Sequence, residues 1–130
     1  MYFHANAEDL GKTFYLLSLF RKRLNVRVLA MDYPGYGLFG YEKKDSEMLM
    51  KCALTVYDFA NQVLKVKEKD IFVFGRSIGC SVAAFVARHR KPGFCILMSP
   101  FKSLKQCAEG IVGKFLASLL AERLDNAEML

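Results

Sequence analysis

Four short apolar runs, at 1–4, 26–31, 71–74 and 94–98, alternate with stretches whose apolar residues recur at helical spacing, and few folds accommodate that alternation. Each run is rich in β-branched or aromatic residues, as strands covered on both faces are. In the first gap Leu10, Phe14, Leu17 and Leu24 repeat with a helical period, and in the second Leu49, Ala53, Val56, Ala60 and Val63 do the same. A third helix is predicted to open at Ser77 or Ile78, run through Val82, Ala83 and Val86, and stop before Pro92-Gly93, which cannot continue it. A fourth is predicted over 104–124, with Cys107, Ile111, Phe115, Leu119 and Leu120 on its apolar side. Strands joined through helices predict right-handed βαβ units. The fold class is therefore α/β, a mostly parallel sheet of about four strands with helices on both faces. No repeat, low-complexity tract or linker divides residues 1–130, so they are read as one domain. Residue 1 already sits inside an apparent strand, and four parallel strands alone would leave long bare edges. The expectation is a partial domain, cut at both ends.

With 53% hydrophobic and 25% charged residues the composition is that of an ordinary folded chain. The apolar runs fall far short of the roughly 20 residues that cross a bilayer. The N-terminus has neither a basic region nor an apolar stretch of signal-peptide length, so a cytoplasmic protein is expected. Cys52, Cys80, Cys95 and Cys107 lie far apart and in no metal-binding spacing, which predicts free buried thiols and no metal site. The net charge of +6 raises the question of an anionic partner. Its cations gather at predicted helix ends, Arg21-Lys22-Arg23 and Arg88, Arg90 and Lys91, where they complement the helix dipole. No nucleic-acid motif accompanies them. A weak pull toward an anionic membrane surface remains open.

The sharpest chemical signal is Gly75-Arg76-Ser77-Ile78-Gly79, a G-x-S-x-G that directly follows the run 71–74 and directly precedes a helical pattern. A serine is aimed out of a sheet only on a sharp strand-to-helix turn, and Gly75 and Gly79 let the two elements approach without a Cβ clash. Ser77 is the candidate nucleophile. The Ile78 N–H, at a helix N-terminus, is a candidate donor to a developing oxyanion. The bland alternative is a turn whose serine merely caps the helix. Gly35-Tyr36-Gly37-Leu38-Phe39-Gly40 also fits G-x-G-x-x-G after a strand. The dinucleotide fingerprint needs a helix opening inside the glycines, whereas Tyr41 to Asp45 reads as a polar loop and the helical period resumes near Ser46.

Further motifs stand in order around the elbow: His4-Ala5-Asn6-Ala7 with Asp9-Leu10-Gly11, Asp32-Tyr33-Pro34-Gly35-Tyr36-Gly37, and Ser99-Pro100 at a strand end. Together they resemble the α/β-hydrolases, in particular serine hydrolases of the intracellular protein depalmitoylase and serine aminopeptidase type, from about Tyr2 to Asn126. The resemblance implies that His4 and Ala5 belong to the oxyanion segment and that the Asn6 backbone N–H joins that of Ile78 in the oxyanion hole. It implies no cofactor. It makes 32–37 a structural loop, with Tyr33, Tyr36 and Phe39 as wall residues. Ala5 replaces the family's glycine, and its Cβ is expected to tilt the loop and weaken the hole.

The resemblance also implies that the acid and the histidine of a triad follow later strands, past residue 130. His4, in the oxyanion segment, and His89, at the end of the third helix, are poorly placed to take the Ser77 proton, and Asp125 is not the expected acid. Residues 1–130 alone are thus expected to be nearly inert, since breaking such a triad costs on the order of 10⁶ in turnover. The implied activity is cleavage of an ester, thioester or amide through an acyl-enzyme, with an acyl-bearing substrate such as a lipidated protein. Two alternatives are a non-catalytic truncated interaction module and a doubly wound domain binding phosphate at helix N-termini.

Overall fold

The computed structural model describes residues 1–40 and 45–100. It contains strand β1 (Tyr2–Phe3), helix α1 (Leu10–Leu24), helix α2 (Ser46–Asp58), strand β2 (Phe72–Arg76), helix α3 (Gly79–His89) and strand β3 (Phe94–Met98). The three strands form one parallel sheet in the order β1-β2-β3, with Tyr2 beside Phe74 and Phe72 beside Phe94. The α/β class and the parallel sheet agree with the sequence reading. The helix expected over 104–124, with Cys107, and the loop residues 41–44 lie outside the described residues.

Among the described residues the sheet has three strands rather than four. The run 26–31 contributes one isolated bridge, Ala30 to Tyr2, and one hydrogen bond, from the Tyr2 N–H to the Leu29 carbonyl at 2.9 Å. Register explains this. With Ala30 opposite Tyr2 in a parallel pairing, Leu29 lies opposite Met1, so within residues 1–40 only the end of this run lies beside β1.

Alternation along β2 and β3 divides the sheet into two faces. Val73, Gly75, Cys95 and Leu97 point toward α2 and α3, where Leu49, Met50, Ala53, Tyr57, Val82, Ala83 and Val86 complete the core. Small residues, Gly79, Cys80, Ser81, Ala83 and Ala84, let α3 lie close to the strands. Across the sheet α1 seats Phe20 on Tyr2 and Phe74, with ring centroids at 6.2 and 5.6 Å. Phe72, Phe94, Ile96 and Met98 on that face stay about half exposed.

Helix boundaries follow their caps. Asp9 accepts from Lys12 N at 2.8 Å and starts α1, and Asn25, at φ 50°, ends it in the left-handed conformation. Asp45 accepts from Glu47 N and Met48 N and starts α2 at Ser46, where the helical period was expected to resume. Two expected apolar stripes need correction. Phe14 and Leu24 of α1 face solvent, and its inward face runs through Thr13 and Phe20. Beyond α2 a π-helical turn, Phe59–Val63, widens the helix and rotates Val63 outward, while Tyr57 and Ala60 are buried.

The C-terminal end of α3 is tied to α2 by Arg90, whose Nε and Nη2 each donate to Asp58 at 2.7 Å. This guanidinium holds the Asp58 carboxyl below the usual aspartate range. A lowered carboxylate pKa stabilises the fold above the ordinary value, near pH ~4, and ceases to do so as pH falls through the folded value. Asp58→Asn is expected to cost about 1 kcal/mol at pH 7. The gap between the urea midpoints of native and substituted protein should close as pH is lowered below 4.

Candidate active site

β2 ends in Arg76, α3 begins at Gly79, and the turn between them carries Ser77 at φ 52°. That left-handed backbone is disfavoured for a residue with a Cβ, by roughly 1–2 kcal/mol. It persists because both flanks enforce it. A Cβ on Gly75 would overlap the Gly79 carbonyl, and one on Gly79 would overlap the Phe3 carbonyl of β1. The Ser77 N–H donates to the Met98 carbonyl of β3 at 2.9 Å, and the Ser77 carbonyl accepts from Cys80 N at 2.9 Å to start α3. The turn is thus held by β1, β3 and its own helix, with Ser77 partly exposed at the carboxyl end of the sheet.

Ile78 precedes the first residue of α3, and its N–H donates to no acceptor among the described residues. The same holds for the N–H of Asn6, which is exposed in the loop after β1. These two donors, implied in the sequence by quite different signals, lie on segments that meet where Gly79 packs against the Phe3 and His4 carbonyls.

The loop holding Asn6 is fixed from several sides. His4 is fully buried, stacked on Tyr33 at a centroid distance of 3.8 Å, and its Nδ1 pairs with the Ala5 carbonyl at 2.9 Å. The Tyr33 hydroxyl donates to the His4 carbonyl at 2.8 Å, and burial pushes its pKa well above the usual tyrosine value. The Tyr36 hydroxyl donates to Asn6 Oδ1 at 2.6 Å. Asp32 accepts from Leu10 N at 2.9 Å and from Leu38 N at 3.4 Å, joining the start of α1 to the glycine turn. Gly37, at φ 52°, leaves the space this carboxylate fills. The wall tyrosines of the sequence reading, Tyr33 and Tyr36, therefore act as struts for the loop after β1.

Ala5 does not adopt a left-handed backbone. The positive φ in this loop is at Ala7, 58°. The expected tilt from a Cβ at residue 5 thus has no counterpart in backbone strain at that residue. Glu8, passed over in the sequence, accepts from Ala5 N at 3.0 Å and pairs with Arg76 Nη1 at 2.6 Å.

His89 pairs through Nδ1 with the Phe85 carbonyl at 2.8 Å, one turn back on α3, and His4 is enclosed by the tyrosines. Neither makes a hydrogen bond to Ser77 among the described residues, and the buried His4 Nε2 has no hydrogen-bond partner there. Cys80 is buried, with Sγ 3.2 Å from the Gly75 carbonyl and 3.3 Å from that of Met98, and burial raises its pKa. A thiol so held is a weak nucleophile. Cys52 and Cys95 are free and only partly buried, in contrast to the full burial expected. Among the described residues no group of histidines, cysteines and carboxylates could hold a metal ion, and no helix is long and apolar enough to cross a membrane.

A protein of Acanthamoeba polyphaga mimivirus provisionally named alpha/beta hydrolase L404 is 26% identical over 102 residues, covering 78% of this chain and 39% of its own length. The chain is similar to the α/β-hydrolases. Schizosaccharomyces pombe protein bem46 is 30% identical over 107 residues, 81% of this chain and 36% of its own length. A second, uncharacterised mimivirus protein is 26% identical over 136 aligned residues, 97% of this chain and 46% of its own length. The chain thus spans less than half the length of these curated relatives. No family model and no solved structure matches it.

The strained turn predicts an unusual stability series for this hydrolase-like chain. Ser77→Gly should raise stability by up to about 1 kcal/mol, because glycine accepts φ 52° without strain. Gly79→Ala should lower it by about 2 kcal/mol or more, through overlap with β1. Chemical denaturation followed by far-ultraviolet circular dichroism measures both.

Proposed function

We propose that Ser77 is the nucleophile of a serine hydrolase that cleaves an ester, thioester or amide through an acyl-enzyme. The observation carrying this reading is the pairing of a left-handed serine on a strand-to-helix turn with two backbone N–H groups, on adjoining segments, that have no acceptor among the described residues. A capping serine would need no such backbone strain. In the proposed step Ser77 Oγ attacks the substrate carbonyl, and the resulting oxyanion accepts from Ile78 N–H and Asn6 N–H. The hydroxyl proton passes to a histidine and then to the leaving group. Water, activated by the same base, releases the acyl group.

On this reading that base and its orienting carboxylate come from outside residues 1–100, since neither His4 nor His89 makes a hydrogen bond to Ser77 among the described residues. The chemistry needs no cofactor. The resemblance to protein depalmitoylases makes a fatty thioester on a protein cysteine the favoured substrate, with a cytoplasmic enzyme working at the membrane surface.

The exposed sheet face formed by Phe72, Phe94, Ile96 and Met98 favours a second reading, a non-catalytic interaction module. A fluorophosphonate probe separates the two on the intact native protein. The acyl-transfer reading expects labelling that Ser77→Ala abolishes, with a rate reduced by at least about 10³. Equal labelling of the two proteins would leave the interaction module.

A further inference from the structure

Glu8 and Arg76 belong to different segments, one to the loop that carries Asn6 and the other to the end of β2. Their side chains meet at 2.6 Å, with Glu8 about one-fifth exposed and Arg76 less than half. Glu8 uses both carboxylate oxygens. Oε1 accepts from Arg76 Nη1, while Oε2 accepts from the N–H of Ala5 at 3.0 Å. Ala5 is the residue before Asn6, and Arg76 is the residue before Ser77. One carboxylate therefore grips the backbone beside one oxyanion donor and the side chain beside the nucleophile.

We infer that Glu8 and Arg76 are positioning residues that fix the separation of the Asn6 and Ile78 N–H groups, so that both can reach one oxyanion. The inference rests on the acyl-transfer reading of Ser77. Its physical basis is that each donor lies three residues beyond the last paired residues of β1 and β2, Phe3 and Gly75, where the strand pairing no longer fixes the separation of the two segments. On the opposite face of the turn, Gly79 against Phe3 sets a minimum approach. The Glu8–Arg76 pair supplies the matching pull, and its charge-assisted bonds have a defined direction. A hole set only by contact could open outward, whereas one set by contact and tether cannot. An oxyanion hole stabilises a transition state in proportion to the preorganisation of its donors, so a loosened tether lowers turnover and leaves ground-state binding largely unchanged.

The test uses the intact native protein with Glu8→Gln, Arg76→Met and Arg76→Lys, read by p-nitrophenyl ester hydrolysis and by amide hydrogen exchange. Glu8→Gln and Arg76→Met should each lower kcat about tenfold, less than the 10² to 10³ lost with a whole donor. KM should stay within about twofold. Arg76→Lys should fall between, because it keeps the charge and loses the fork geometry. Exchange at the hydrogen-bonded Ala5 N–H should quicken in Arg76→Met, and exchange at the hydrogen-bonded Ser77 N–H should quicken in Glu8→Gln. Substitutions that perturb only their own segment, or that lower kcat only as far as they lower the folded fraction, would overturn the inference. Equal hydrolysis by the native protein and Ser77→Ala would instead sink the acyl-transfer reading, and the exchange arm would still decide whether the tether couples the two segments.

Discussion

Everything at the carboxyl end of this sheet depends on a steric constraint: there is no room for a side chain at Gly75 or at Gly79. Because α3 can press against β1 and β2 at these two points, the chain must reverse within three residues, and Ser77 takes the left-handed backbone that the reversal requires. The energy of that conformation is small beside the burial of Val82, Ala83 and Val86 that the same close approach allows. The strain at the serine is thus a by-product of a well-packed helix, and it presents a hydroxyl at the sheet's edge.

Around this turn the molecule places polar groups with unequal care. Tyr33, Tyr36 and Glu8 each bond to the loop after β1, and Asp32 bonds to the first residue of α1 that ends it and to the glycine turn. Their common effect is to hold still a short irregular segment whose exposed Asn6 N–H has no acceptor among the described residues. Such investment is difficult to explain for a loop that merely connects β1 to α1. It is expected of one whose amide is held in place for a charge that appears only during reaction, the role proposed for Asn6.

Much of this was legible in the sequence, and the reason differs from element to element. The elbow was visible because its glycines, its serine and the apolar run before them are adjacent in the chain. β3 was visible because five consecutive apolar residues, Phe94 to Met98, follow the helix-stopping Pro92-Gly93. The fate of 26–31 was not, because pairing depends on register with a strand elsewhere, and no local pattern encodes it. The π-helical turn after α2 was missed for a related reason: the apolar period continues through Val63, while the backbone departs from it. The tether between Glu8 and Arg76 escaped notice because long-range polar contacts leave no periodic trace. Its two members look like an ordinary surface acid and an ordinary surface base.

The central claim, that Ser77 carries the acyl group, is tested most directly by trapping the intermediate. The intact native protein would be mixed with a thioester acyl donor, quenched in acid, digested with trypsin and analysed by mass spectrometry. Cleavage after Arg76 and Arg88 isolates the peptide Ser77 to Arg88, which holds both Ser77 and Cys80. The account predicts the acyl mass on Ser77, as an oxygen ester that resists neutral hydroxylamine. Acyl on Cys80, or on no residue of this peptide while the donor is consumed, would contradict it.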